Sequence, residues 1–145
     1  MITGFSHIYL PVRDVDESIA FYTQNLGFRL LRKWQMNSRA SAYLVGQDGI
    51  LLELNLANRS TPVSEGRGES RIGLTVTDMD SVIEDLRSRG VKVAREPYEA
   101  RTFWGRQASV EDPSGNGISL REWRAPDGPQ FDGWQPTSDG VTRLA

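Results

Sequence analysis

The chain has 145 residues, 38% of them hydrophobic and 25% charged, enough for one ordinary globular domain with a buried core. Seventeen Lys and Arg against nineteen Asp and Glu leave a formal charge of -2, which argues against nucleic acid or an anionic membrane as partner, since both reward a concentrated positive field. With no cysteine and a single histidine, His7, disulfides and thiol chemistry are excluded, and any triad or histidine metal site within one chain must use that residue.

His7-Ile8-Tyr9-Leu10-Pro11-Val12 alternates apolar with other residues, which predicts a half-buried strand. Asp14 follows as a helix cap, and Val15, Ile19, Tyr22 and Leu26 predict a helix with that buried stripe, stopped by Gly27. Period-two patterns predict strands over 28–36, 39–46 and 49–57, the last entered through Asp48-Gly49. Residues 58–70, with Pro62, Gly66 and Gly68, read as a linker. The order then begins again: Arg71-Ile72-Gly73-Leu74-Thr75-Val76-Thr77-Asp78 matches His7–Asp14 at an offset of 64 (71 − 7), with Ile, Leu, Val and Asp in phase. Met79, Val82, Ile83 and Leu86 predict the second helix, ended by Gly90, and strands follow over 91–96, 103–111 and 117–123. Asp112-Pro113-Ser114-Gly115-Asn116 is the turn into the last of these. Each half therefore reads β-α-β-β-β. Residues 124–145 hold Pro126, Pro129 and Pro136 and break regular structure; Phe131 and Trp134 there point to docking on the body or on a second subunit.

Strand parity separates two faces. Ile8, Leu10 and Val12, like Ile72, Leu74 and Val76, are expected under the helices, leaving His7 and Tyr9, then Arg71, Gly73 and Thr75, on the other side. In the last strands Leu52, Leu54 and Leu56 alternate with Glu53 and Asn55, and Ile118 and Leu120 with Ser119 and Arg121. A polar set repeated on one face of four strands reads as a cavity lining. Trp34, Tyr43, Phe103 and Trp104 fall on the middle strands, where parity leaves open which of them enter the cavity, because bulges are frequent in curved sheets. Phe103-Trp104-Gly105 would suit a planar ligand as a flat apolar wall.

The tandem modules, the opening His-Ile-x-Leu-x-Val strand, Phe21-Tyr22 before Asn25-Leu26-Gly27-Phe28, and Asp112-Pro113-x-Gly115-Asn116 before the final strand together resemble the vicinal oxygen chelate superfamily. That group includes glyoxalase I, extradiol dioxygenases, fosfomycin-resistance enzymes and bleomycin-resistance proteins. The resemblance implies an α+β fold, two tandem βαβββ modules forming a curved, partly open barrel-like sheet with helices on the outside. It divides a single domain, 1–123, into module one (1–57), linker (58–70) and module two (71–123), with 124–145 as a tail.

In metal-dependent relatives the ligands come from the start of the first strand and a glutamate in the last strand of each module. The matching positions here are His7, Glu53, Arg71 and Ser119, the last by aligning Leu52-Glu53-Leu54 with Ile118-Ser119-Leu120 at an offset of 66 (119 − 53). A guanidinium has no lone pair to donate and repels a cation, and a catalytic Zn²⁺ normally takes about three protein ligands. The resemblance therefore implies no complete metal site and no cofactor, a divalent metal being possible only with an incomplete ligand set. Glu122 lies an odd step beyond Ser119 and is expected on the other face. Glu53 and His7 are then the candidate catalytic residues, with Glu53 as general base; Tyr9, Asn55, Arg71, Ser119, Arg121 and Trp104 are candidates for ligand binding. The geometry of the resembled family implies that Arg71 lies near Glu53, either in a structural ion pair or holding a carboxylate, phosphate or enolate oxygen of a ligand.

Two functions follow. One is a cavity protein like the glyoxalase and bleomycin-resistance branch, without a complete metal site, that binds or transforms a polar or anionic metabolite or drug; its chemistry, if any, would be lyase-, isomerase- or dioxygenase-like. The other is a metal-dependent lyase or dioxygenase in which His7 and Glu53 gain an unusual further ligand. Relatives of this size pair, and open sheet edges give a physical motive for a homodimer. No apolar run approaches the length of a membrane span and no basic-then-apolar leader opens the chain, so the expected location is the cytoplasm, with no membrane partner.

Overall fold

The computed structural model describes residues 1–63, 70–125, 135–136 and 139–145. Phe131 and Trp134, and with them the expected docking of the tail, lie outside the described residues. In chain order the elements are β1 (His7–Val12), α1 (Val15–Asn25), β2 (Arg29–Met36), β3 (Arg39–Val45), β4 (Leu51–Leu56), β5 (Ser70–Thr75), α2 (Met79–Ser88), β6 (Lys92–Glu99), β7 (Gly105–Glu111) and β8 (Gly117–Trp123). These form two four-stranded sheets ordered β1-β4-β3-β2 and β5-β8-β7-β6, the same order twice. Both βαβββ modules are thus present. None of the described helices is long and apolar enough to cross a membrane.

Two compact units divide the chain. The first comprises Met1–Ile72 together with Glu111–Gly117, the second Gly73–Val110 with Ile118–Ala145. In the first unit β1 runs parallel to β4, while β4–β3 and β3–β2 are antiparallel. A parallel pair needs a crossover, and α1 with the β2–β3 hairpin supplies it. Asp14 caps α1 by accepting from Glu17 N–H at 2.9 Å, and Gly27 beyond its last turn takes φ +72°. The buried stripe of α1 differs from expectation: Val15, Ser18, Phe21 and Tyr22 are buried, whereas Ile19 and Leu26 are half-exposed. Ser18 tolerates burial because its hydroxyl donates to Asp14 O at 2.7 Å. Leu10, Val12, Leu44, Leu52 and Leu54 complete this core. Ile8, expected under the helix, remains 36% exposed because it lies toward the open end of edge strand β1.

β2 contains a bulge between Leu30 and Arg32, which face the adjacent residues Leu44 and Tyr43. Leu31 is the extra residue. Without it Trp34 would pair with Ala40 on the helix side; with it Trp34 faces Ser41, on the same side of the sheet as Glu53 and Asn55.

In the second unit Asp78 caps α2 through Ser81 N–H, and Met79, Ile83 and Leu86 are buried as expected, with Val82 half-buried. β7 begins at Gly105, two residues later than the pattern predicts, so Phe103 and Trp104 precede the strand. Phe103 is buried and Trp104 is 51% exposed. Only glycine fits at position 105: φ is +154° and a Cβ there would lie 2.1 Å from the Glu122 carbonyl oxygen.

The Asp-Pro-Ser-Gly-Asn turn belongs to the first unit. Asp112 Oδ1 accepts from the N–H groups of Ser114 and Asn116, and Oδ2 from the Tyr22 hydroxyl and Asn116 Nδ2, all at 2.8–3.0 Å. Asn116 Nδ2 also donates to Pro11 O, and Arg13 N–H to Ser114 Oγ. Burial, then the Asp112 charge and hydrogen bond, push the Tyr22 phenol far above its ordinary value.

Candidate functional site

The polar face of the first sheet is built from β1, β4, β3 and the bulged β2. Register places Tyr9 of β1 and Tyr43 of β3 on either side of Glu53, and Asn55 beside Ser41. His7, two residues before Tyr9, shares its face and reaches across: Nε2 lies 3.0 Å from Glu53 Oε2. Nδ1 lies 3.0 Å from the Ser6 hydroxyl. A neutral ring that donates from Nε2 accepts Ser6 O–H at Nδ1, so both nitrogens are used and the tautomer is set by the carboxylate. His7 is 37% exposed and Glu53 15%, which leaves the pair reachable while the carboxylate is mostly withdrawn from water.

Two aromatic rings flank this pair. Tyr43 meets His7 edge-on at 6.5 Å between centroids, and Trp34 lies 4.6 Å from Tyr43. The open question of parity is settled for these two: the bulge in β2 brings Trp34 to the Glu53 side. Asn55 accepts from Ser41 Oγ at 2.8 Å, while its Nδ2 is buried without a partner. Ser6, Ser41, Tyr43 and Trp34 were not in the site read from sequence. Alternation within β3 and β4 would have identified Ser41 and Tyr43, and the only sign of the bulge in β2 is the Leu30-Leu31 doublet.

The remaining candidates belong to β5, to β8 and to the segment before β7. Arg71 is exposed near the start of β5, and the imidazole that engages Glu53 is that of His7. Ser119, on β8, is buried and its hydroxyl has no partner. Arg121, two residues on, stacks over Phe103 with its guanidinium carbon 4.8 Å from the ring centre. The Trp104 carbonyl accepts from Arg124 N–H. Glu122 faces away from Ser119, as the odd step requires, and its Oε1 accepts Met79 N–H at 2.9 Å at the start of α2. It borders a cavity of about 300 Å³ lined by Thr75, Asp78, Gly105, Arg106 and Trp123 among others. Arg106 there grips Asp80 with two 2.9 Å hydrogen bonds, which hold that carboxyl below the usual carboxylate range.

The donors at the His7 face do not fit a resident catalytic cation. His7 and Glu53 are two donors already bonded to one another, and among the described residues no His, Cys, Asp or Glu joins them in a group of three. The repeat positions that would add ligands carry a guanidinium, which has no lone pair to give, and a neutral hydroxyl, a weaker ligand than the imidazole or carboxylate of a catalytic site.

A family model described as Glyoxalase/Bleomycin resistance protein/Dioxygenase superfamily matches residues 4–120. A probable lactoylglutathione lyase of Synechocystis sp. is 34% identical over 119 residues, covering 79% of this chain and 91% of that protein. A chloroplastic probable lactoylglutathione lyase of Arabidopsis thaliana is 31% identical over 80% of this chain; the chain spans only 35% of that longer relative. Among solved structures, TnmS3, an antibiotic binding protein from Streptomyces sp. CB03234, superposes with a TM-score of 0.69 at 28% identity, covering 83% of this chain and 96% of that one.

Proposed function

Since the chain belongs to the Glyoxalase/Bleomycin resistance protein/Dioxygenase superfamily, we propose that it binds a small polar or anionic molecule on the polar face of its first sheet and handles a proton there without a resident metal. The observation that carries this reading is the His7–Glu53 pair, 3.0 Å apart and partly open to solvent. Glu53 takes a proton from a carbon or heteroatom acid of the bound molecule, and the His7 Nε2–H bond keeps the carboxylate oriented. Tyr43 and Trp34 supply apolar area beside the pair, and Tyr9 and Asn55 supply polar contacts. The proposal extends to a cytoplasmic homodimer, whose physical motive is the open edge β1 with Ile8 and Tyr9 exposed.

The names of the lyase relatives suggest the probe, S-lactoylglutathione, a polar anion. Its binding is expected to quench tryptophan fluorescence saturably, and His7→Ala and Glu53→Gln are each expected to weaken it by ~10-fold, the order of a lost charge-assisted contact. Metal analysis of untagged protein decides the second reading. Near-stoichiometric divalent metal that disappears in both variants would establish the metal-dependent lyase or oxygenase and overturn the metal-free one. Saturable binding that neither variant weakens would remove the site itself.

A further inference from the structure

β8 carries Ser119, Arg121 and Trp123 at steps of two, so these side chains leave the second sheet on one face. The Arg121 guanidinium carbon sits 4.8 Å from the centre of Phe103 and 6.0 Å from that of Trp123, two rings that are themselves 4.6 Å apart. The cation is thus supported on one planar face by aromatic surface and half withdrawn from water. No hydrogen bond or ion pair from a described residue engages the guanidinium. Stacking uses the π face of the group and leaves the N–H donors of its edge in the plane, where a carboxylate or phosphate binds through two parallel bonds.

A second observation lies one step down the strand. Ser119 is 4% exposed and its hydroxyl has no partner, which is uncommon for a buried polar group. On the neighbouring strand β5, Gly73 occupies the repeat position of Tyr9, and a Cβ there would meet no atom within 4 Å. The second module therefore has open space where the first has an aromatic ring, beside a cation whose edge meets no acceptor among the described residues; the Ser119 hydroxyl itself is sealed from solvent.

We propose that this face of the second sheet is an oxyanion subsite, in which a carboxylate or phosphate seats on the edge of Arg121, over the space that Gly73 leaves open. This goes beyond the reading given above: it concerns the second unit alone and stands or falls without the first-sheet site. Its residues are different, so the two fail separately.

The test is an amide and arginine Nε–H NMR titration of the full chain with sodium phosphate and with sodium benzoate at constant ionic strength, using sodium chloride as control. Saturable shifts at Arg121 Nε–H, Ser119 and Gly73 are expected with one or both anions; saturation by phosphate alone assigns a phosphate ligand, by benzoate alone a carboxylate. Arg121→Gln is expected to raise the apparent Kd by ~10-fold or more, the order of a lost charge-assisted bond, and Gly73→Val, which fills the open space, by roughly 3-fold. Arg121→Lys, which keeps the charge and loses the planar fork, should fall between wild type and Arg121→Gln, and serves as the informative variant should the glutamine form fold poorly. His7→Ala should leave these curves in place. Shifts that are linear and equal with chloride, or curves unchanged in both Arg121 variants, would overturn the subsite.

Discussion

Asp112, in the turn before β8, receives four donors, from the Tyr22 hydroxyl, the Asn116 side chain and two backbone N–H groups, and is 5% exposed. Glu53, on β4 of the same unit, faces one imidazole at 3.0 Å and keeps part of its surface in solvent. The first carboxylate has its lone pairs filled by groups that would otherwise be buried and unpaired, so it acts as a structural hub with no capacity left for a ligand. The second has acceptor capacity to spare and a proton carrier beside it. Burial and saturation, rather than residue type, separate a carboxylate that holds the fold from one available for chemistry.

That difference can be broken by mutation. The largest effect is expected for Asp112→Ala, which strands the Tyr22 hydroxyl and the Asn116 amide. A loss of about 3–5 kcal/mol, read from the urea midpoint, is the scale for opening a buried charged network. A loss as small as that of Glu53→Gln would erase the distinction. Tyr22→Phe deletes one of the four donors and should cost about 1–2 kcal/mol.

The same variant has a pH signature. The folded phenol titrates far above the ordinary value of 10.0, because of burial first and Asp112 second. The folded state therefore keeps a proton that the unfolded state releases. Stability from this source is intact below about pH 10 and declines as pH rises beyond it. Denaturation midpoints of the wild type should show this alkaline decline, and Tyr22→Phe should flatten it.

Glu53→Gln should change stability by less than ~1 kcal/mol, since the pair is part-exposed, yet weaken S-lactoylglutathione; a large stability loss would make Glu53 a structural residue like Asp112. The smallest effect belongs to Asp80→Asn. It breaks the two-pronged contact with Arg106 on an exposed surface and should leave the urea midpoint at physiological salt unmoved.

Much of the framework was legible in the residues because it is local. Caps at Asp14 and Asp78, the positive-φ glycine at 27 and the repeat at an offset of 64 each act within a few positions of the chain. Parity likewise placed His7 with Glu53 on one face and Glu122 on the other. Other features depend on contacts that no local pattern encodes. Tyr22 and Asp112 are 90 residues apart, and only their packing makes one the partner of the other. Trp34 joins the Glu53 side through a single extra residue in β2; the Leu30-Leu31 doublet breaks the alternation there, but the pattern alone does not tell a bulge from a strand end. Arg121 was identified as a positive charge, but its stacking on Phe103 depends on Phe103 lying before β7 rather than within it.

The turn at 111–117 has a consequence for any attempt to divide this protein at its apparent seam. A fragment ending near residue 63 would carry every strand of the first sheet and the whole of α1, yet leave the Tyr22 phenol and the Arg13 amide facing nothing. A fragment meant to keep the first core whole must therefore bring residues 111–117 with it.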